Sequence, residues 1–131
     1  MKTEQNRGNY LEKSELRFRL ALTVLWVSHF LLWTFGDMAA LLQQLSEPVE
    51  SSLLLFVSVP LAMIQVSMIV LSLLGPKKAM ARANMILPLA YVVLNVGFLI
   101  DAQYGWEYLL GISYITVNVL IIGYARKWLK S

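Results

Sequence analysis

Four long apolar runs dominate the chain, at residues 20–42, 53–74, 84–100 and 109–124. A helix needs roughly 20 apolar residues to cross the hydrocarbon of a bilayer, at ~1.5 Å of rise each. The pattern predicts an all-α fold, an integral membrane four-helix bundle that forms a single domain over residues 1–131. The fourth run is short, and Tyr104, Trp106 and Tyr108 extend it into an interface. Little is left over for a separate soluble domain. Residues 1–18 are polar and read as a cytoplasmic juxtamembrane segment. Within it Asn9 to Phe18 reads either as a short surface helix, capped by Asn9 with Glu12 three residues on, or as a polar tail. The first apolar run is too long for a cleaved signal peptide, and no small-residue cleavage site follows it, so it is expected to stay as a signal anchor.

Breakers punctuate the runs. Gly75-Pro76 reads as a helix stop, with Gly after the last turn and Pro beyond it. Ser46-Glu47-Pro48 separates the first two helices. Pro60 and Pro88 each remove a backbone donor inside a helix and predict kinks. Gly36 and Ala40 form a small-xxx-small pair suited to close helix contact.

Charge adds orientation. The 11 Lys and Arg precede the first run, separate the second from the third, or follow the fourth. The other two loops carry Glu47, Glu50, Asp101 and Glu107 instead. Basic flanks stay cytoplasmic, which predicts a multi-pass protein of the bacterial inner (plasma) membrane with both termini inside. The net charge of +3 is accounted for by topology and by anionic lipid headgroups. No nucleic-acid partner is expected, because no recognised nucleic-acid motif accompanies the charge. Composition agrees with a bilayer as solvent: 58% of residues are hydrophobic and 15% charged, against about 45–50% and 25% in a soluble domain. Cysteine is absent, which removes disulfides and thiol chemistry.

The chemistry lies in polar residues within the apolar runs. His29 is nine residues past Leu20, ~14 Å along a helix and close to a midplane. Asp37 is ~25 Å along by the same count, near the outer boundary. On a helical wheel His29, Trp33, Gly36 and, less closely, Asp37 share a face that should look into the bundle. Counting depth along each run places His29 and Gln65 near the middle, with Tyr91 and Asn118 toward the inner side. Asp37, Ser58, Asn95, Ser113 and Tyr114 fall in the outer half. The candidates for lining a pocket or relaying protons are therefore His29, Trp33, Asp37, Ser58, Gln65, Tyr91, Asn95, Tyr114 and Asn118. His29 reads first as interhelical glue, hydrogen-bonded to Gln65 or to a backbone carbonyl, and second as a proton relay or ligand group. Asp37 reads first as an interfacial carboxylate touching water, and second as the charge of a pocket open to the outside. A lone His with no Cys is a poor metal site, since zinc takes at least three protein ligands. No metal or other cofactor is expected, and no GxGxxG, P-loop, HExxH or Ser-His-Asp arrangement is present.

The stretches WVSHFLLWTFGDMAALL, VPLAMIQVS, ARANMI and YARKW, in this order, resemble an uncharacterised bacterial family of small four-helix membrane proteins, broadly DoxX-like in size and layout. The resemblance spans most of residues 19–128 and implies the fold and no chemistry. The family pattern places an acidic residue before the Ile-Pro of the second helix and a basic one after its later Ser. Here those places hold Ser58 and Met68, so that intramembrane ion pair is missing.

Three functions fit these residues. The first is a small-molecule or proton binding and transport module, with Asp37 at the outer mouth of a pocket, His29 at its floor and a small apolar or cationic ligand. The second is a non-catalytic partner subunit or scaffold, as a homo-oligomer or within a larger membrane complex. The third is an intramembrane enzyme acting on a lipid or quinone. It needs a third residue to join His29 and Asp37, which lie ~12 Å apart along one helix.

Overall fold

The computed structural model describes residues 2–43 and 50–131. Ser46-Glu47-Pro48 lies outside them. Among the described residues there are four long helices and no strand: α1 Lys2–Leu42, α2 Ser51–Leu74, α3 Lys77–Ile100 and α4 Gly105–Lys130. All four are long and apolar enough to cross a membrane.

The helices are longer than the apolar runs. Lys, Arg, Glu and Ala are strong helix formers, so α3 starts at Lys77 rather than Asn84 and α4 continues to Lys130. The polar start of the chain is neither a separate surface helix nor a tail, because α1 runs unbroken for 41 residues. That is ~61 Å at 1.5 Å per residue, about twice a hydrocarbon thickness. Residues 2–13 are all exposed, so this part of α1 projects beyond the other helices.

Buried positions recur at steps of three and four. They are Leu22, Trp26 and His29 in α1; Gln65, Met68 and Ser72 in α2; Ala81, Asn84, Pro88, Tyr91 and Asn95 in α3; and Gly111, Tyr114, Asn118, Ile121, Ala125 and Trp128 in α4, where Leu110 beside Gly111 is buried too and widens the seam. Such a 3.5-residue mean step is the seam of near-parallel helix packing. The seam carries polar residues, while Val24, Leu31, Phe35, Phe56, Met63, Ile86, Val93 and Ile112 stand exposed. Water penalises so large an apolar exterior, whereas hydrocarbon accepts it and penalises unpaired polar groups. The polar side chains are accordingly turned inward.

Around the bundle α2 packs on α1, α1 on α4, and α4 on α3, with slight contact between α3 and α2. The tight connection at Gly75-Pro76 thus joins two helices whose backbones rarely come close and which meet through the side chains of Asn84 and Tyr91. Gly75 does not take the left-handed cap conformation; its φ is −79° and ψ 169°. Glycine is needed there for space, since a Cβ would lie 2.6 Å from Met80 Cγ and 2.7 Å from the Leu71 carbonyl.

Pro60 acts on the turn before it. The proline ring displaces the carbonyl four residues back and offers no N–H, and Leu54–Ser58 forms a wide π-helical turn closed by Val59 N–H donating to the Leu54 carbonyl. Residues 51–59 are exposed throughout. Pro88, by contrast, is buried inside α3.

Candidate functional site

Arg19 fastens one end of the bundle. Its Nη1 donates to the carbonyls of Leu73 at 3.1 Å and Gly75 at 2.7 Å, capping the end of α2. Its Nη2 lies 3.1 Å from Glu15 Oε1, and the guanidinium stands 4.9 Å from the centre of the Trp128 ring. Lys77 Nζ donates to the Ser131 carbonyl at 2.8 Å. The basic residues gather at this end; Asp37, Glu50, Asp101 and Glu107 belong to the opposite, acidic end.

Three polar layers stack between the two ends. Nearest the basic end, Trp26 Nε1 donates to Asn84 Oδ1 at 2.6 Å, and Asn84 Nδ2 donates to Ser72 Oγ at 3.1 Å and to the Met80 carbonyl at 2.7 Å. This link of α1, α2 and α3 leaves no polar atom of Asn84 spare. Trp26 is one turn before His29, so its place on the buried face was readable; its Asn84 partner was not, because spacing along one helix does not choose a residue on another.

The middle layer centres on His29, which is fully buried. Its Nδ1 lies 2.9 Å from Gln65 Oε1, so Nδ1 carries the hydrogen. Gln65 Nε2 and the Tyr91 hydroxyl both donate to the Leu61 carbonyl, at 3.4 and 2.7 Å. The Tyr91 ring stands edge-on to the imidazole at 4.8 Å, and Trp26 and Trp33 flank it at 5.3 and 6.0 Å. Asn118 faces the ring from α4. Its Nδ2 donates to the Tyr114 carbonyl at 3.0 Å. His29 Nε2 and Asn118 Oδ1 are buried without a partner among the described residues. Both are acceptors in the neutral ring. One donor between them, a water or a proton on Nε2, would satisfy the pair. Tyr91 and Asn118 therefore sit at the level of His29 and not toward the inner side, because α3 starts before its apolar run and α4 continues past its own.

The third layer is a cavity of about 200 Å³ toward the acidic end. α1 lines it with Trp33, Gly36, Asp37 and Ala40; α3 adds Leu94, Asn95 and Phe98; α4 adds Trp106, Glu107 and Tyr114. No α2 residue contributes. Close approach of α1 and α4 shapes its floor: a Cβ on Gly36 would lie 2.5 Å from the Tyr114 hydroxyl and 2.9 Å from Leu110 Cδ2. That hydroxyl donates to the Leu32 carbonyl at 2.7 Å. Trp106 Nε1 donates to Gln43 Oε1 at 2.8 Å and ties α4 to the end of α1. Glu107 Oε1 accepts from the backbone N–H groups of Gln103 and Tyr104, at 3.3 and 3.2 Å, closing the first turn of α4. Asp37 makes no hydrogen bond or ion pair with a described residue. Asn95 is 1% exposed, and its Nδ2 has no partner among the described residues.

The nine sequence candidates thus divide. Trp33, Asp37, Asn95 and Tyr114 line the cavity. His29, Gln65, Tyr91 and Asn118 form the layer below, with Trp33 and Tyr114 between it and the cavity. His29 is therefore one aromatic layer beneath the floor and not part of it. Ser58 belongs to neither group; it is exposed on the π-helical turn. Ser113 also points away, donating to the Leu109 carbonyl of its own helix. Phe98, one turn after Asn95, was findable from spacing. Glu107 was read only as a loop charge, and its place in the wall needs the rotation of α4, which the sequence does not state. Among the described residues no three His, Asp or Glu side chains converge as metal ligands. The chain matches no family model, no curated protein and no solved structure.

Proposed function

We propose that this is a multi-pass protein of the bacterial inner membrane, with both termini cytoplasmic, that binds a small molecule or proton and works as a binding or transport module. The observation that carries the reading is the pairing of a cavity holding a carboxylate, Asp37, that no described residue pairs, with a buried imidazole one aromatic layer below it. Structural polar groups in a membrane protein pair with one another. Among the described residues three buried polar atoms, on His29, Asn95 and Asn118, are left over between the acidic end and the middle of the bundle, below the exposed carboxylate of Asp37; a fourth, Trp128 Nε1, lies at the basic end. Orientation rests on the segregation of Lys and Arg at one end.

Two assays on purified protein test it. In nanodiscs, Trp33 and Trp106 emission reports occupancy as small neutral and cationic organic probes are added. In proteoliposomes, trapped pyranine reports proton flux under an imposed potential. A response in at least one assay is expected, and it should be lost in Asp37→Asn or His29→Ala. Silence in both assays, or responses unchanged in both variants, would sink the reading.

A second reading, a subunit of a larger membrane complex, draws on the projecting start of α1, where Tyr10 is 74% and Leu11 59% exposed. It expects a larger membrane protein to co-purify from native membranes, and removal of residues 2–13 to release it.

A further inference from the structure

The cavity has a chemistry more specific than its size. Trp33, Phe98, Trp106 and Tyr114 give it aromatic walls, with Tyr114 ring centres 5.9 Å from Trp33 and 6.3 Å from Phe98. Asp37 and Glu107 give it two carboxylates. Every Lys and Arg of the chain belongs to the other end of the bundle, so no fixed cation answers them. Aromatic faces carry negative potential and attract alkylammonium groups, most strongly when water is excluded. Asn95 is the independent observation: its amide is almost wholly buried in the wall, yet Nδ2 donates to none of the described residues. A buried donor without an acceptor costs free energy until something supplies one.

From these groups together we infer that the cavity binds a small organic cation, an alkylammonium compound that also carries a hydrogen-bond-accepting oxygen. The ammonium group lies among the aromatic rings near Asp37 and Glu107, and the oxygen accepts from Asn95. This rests on the binding reading above and names its ligand class. Asp37 supplies charge with no structural duty. Glu107 supplies charge while it holds the first turn of α4, a duty that an amide oxygen can also perform.

The test compares two probes of one shape: acetylcholine, and 3,3-dimethylbutyl acetate, which replaces the charged nitrogen by carbon. Each is titrated into the full chain in nanodiscs, with tryptophan emission and isothermal calorimetry as readouts. The cation is expected to bind about tenfold or more tightly than the neutral ester, as cation–π attraction plus a nearby carboxylate provides. Asp37→Asn, which keeps the side-chain shape, should lower the ratio and leave the part that the aromatic rings and Glu107 supply. Glu107→Gln should lower it while helix content is kept. Asn95→Leu should weaken both probes alike, because both carry the carbonyl. Equal binding of the two probes to the wild-type protein would overturn the cation assignment and leave the pocket reading standing. Binding of neither would overturn the assignment and count against the pocket reading as well. A ratio unchanged in both Asp37→Asn and Glu107→Gln would overturn it even if the cation binds.

Discussion

His29 Nδ1 and Gln65 Oε1 meet at 2.9 Å in the middle of the bundle and join α1 to α2. Interhelical hydrogen bonds in membranes average about 0.6 kcal/mol in double-mutant cycles and reach about 1.7. A cycle of His29→Phe and Gln65→Leu, followed by unfolding in mixed micelles, is expected to return a coupling of about 0.5–1.5 kcal/mol. Gln65→Leu alone should cost more than the coupling, since it also frees the Leu61 carbonyl from one of its two side-chain donors. Strict additivity of the two single substitutions would show that the contact contributes nothing.

Gly36 and Tyr114 pose a packing question. The Tyr114 hydroxyl occupies the space where a Gly36 side chain would begin. Gly36→Ala is expected to displace it from the Leu32 carbonyl and destabilise the bundle by about 1–3 kcal/mol, the usual range for overpacking. Tyr114→Phe removes the obstructing oxygen, so the double variant should be more stable than the sum of the two singles predicts. Unfolding curves that show no such rescue would mean that the helices yield instead.

Arg19 can be tested by its geometry as well as its charge. One guanidinium reaches three carbonyls at the end of α2, those of Ser72, Leu73 and Gly75, as well as the Glu15 carboxylate and the face of Trp128. Arg19→Ala is expected to cost about 1.5–3 kcal/mol, in the range of hydrogen bonds to charged groups. Arg19→Lys keeps the charge but not the planar fork, and most of the loss should remain. Full recovery with lysine, read from the same unfolding midpoints, would assign the contact to charge alone.

Topology can be measured without background, because the chain has no cysteine. Lys13→Cys and Tyr104→Cys place single thiols at exposed positions of the projecting start of α1 and the acidic end. In intact cells, an impermeant maleimide should label position 104 and spare position 13 until the membrane is opened. The reverse pattern would invert the orientation, and labelling of both from outside would remove the four-crossing arrangement.

The helices were legible because apolar runs of spanning length state themselves. The inward face of α1 was legible too: His29, Trp33 and Gly36 recur at helical spacing, and His29 and Trp33 do look into the bundle. Depth was less so. Counting residues from the ends of the apolar runs set Tyr91 and Asn118 inward of His29, whereas both lie against it, because charged helix formers carry α3 and α4 past their apolar runs. Rotation about the helix axis was the least legible. Ser58 has the right depth for the cavity and the wrong direction, and Glu107 has the right direction with nothing in its neighbours to announce it. Rotation is set by which seam meets which, a property of pairs of helices rather than of either alone.

The cavity has walls from three helices, and the upper part of the fourth, residues 51–59, stands clear of it. When hydrocarbon surrounds the bundle, acyl chains close that side. An opening walled by lipid admits what dissolves in lipid as well as what arrives from water. At fixed total probe, adding empty vesicles should therefore lower occupancy by the membrane-soluble neutral ester and leave occupancy by the water-soluble cation unchanged.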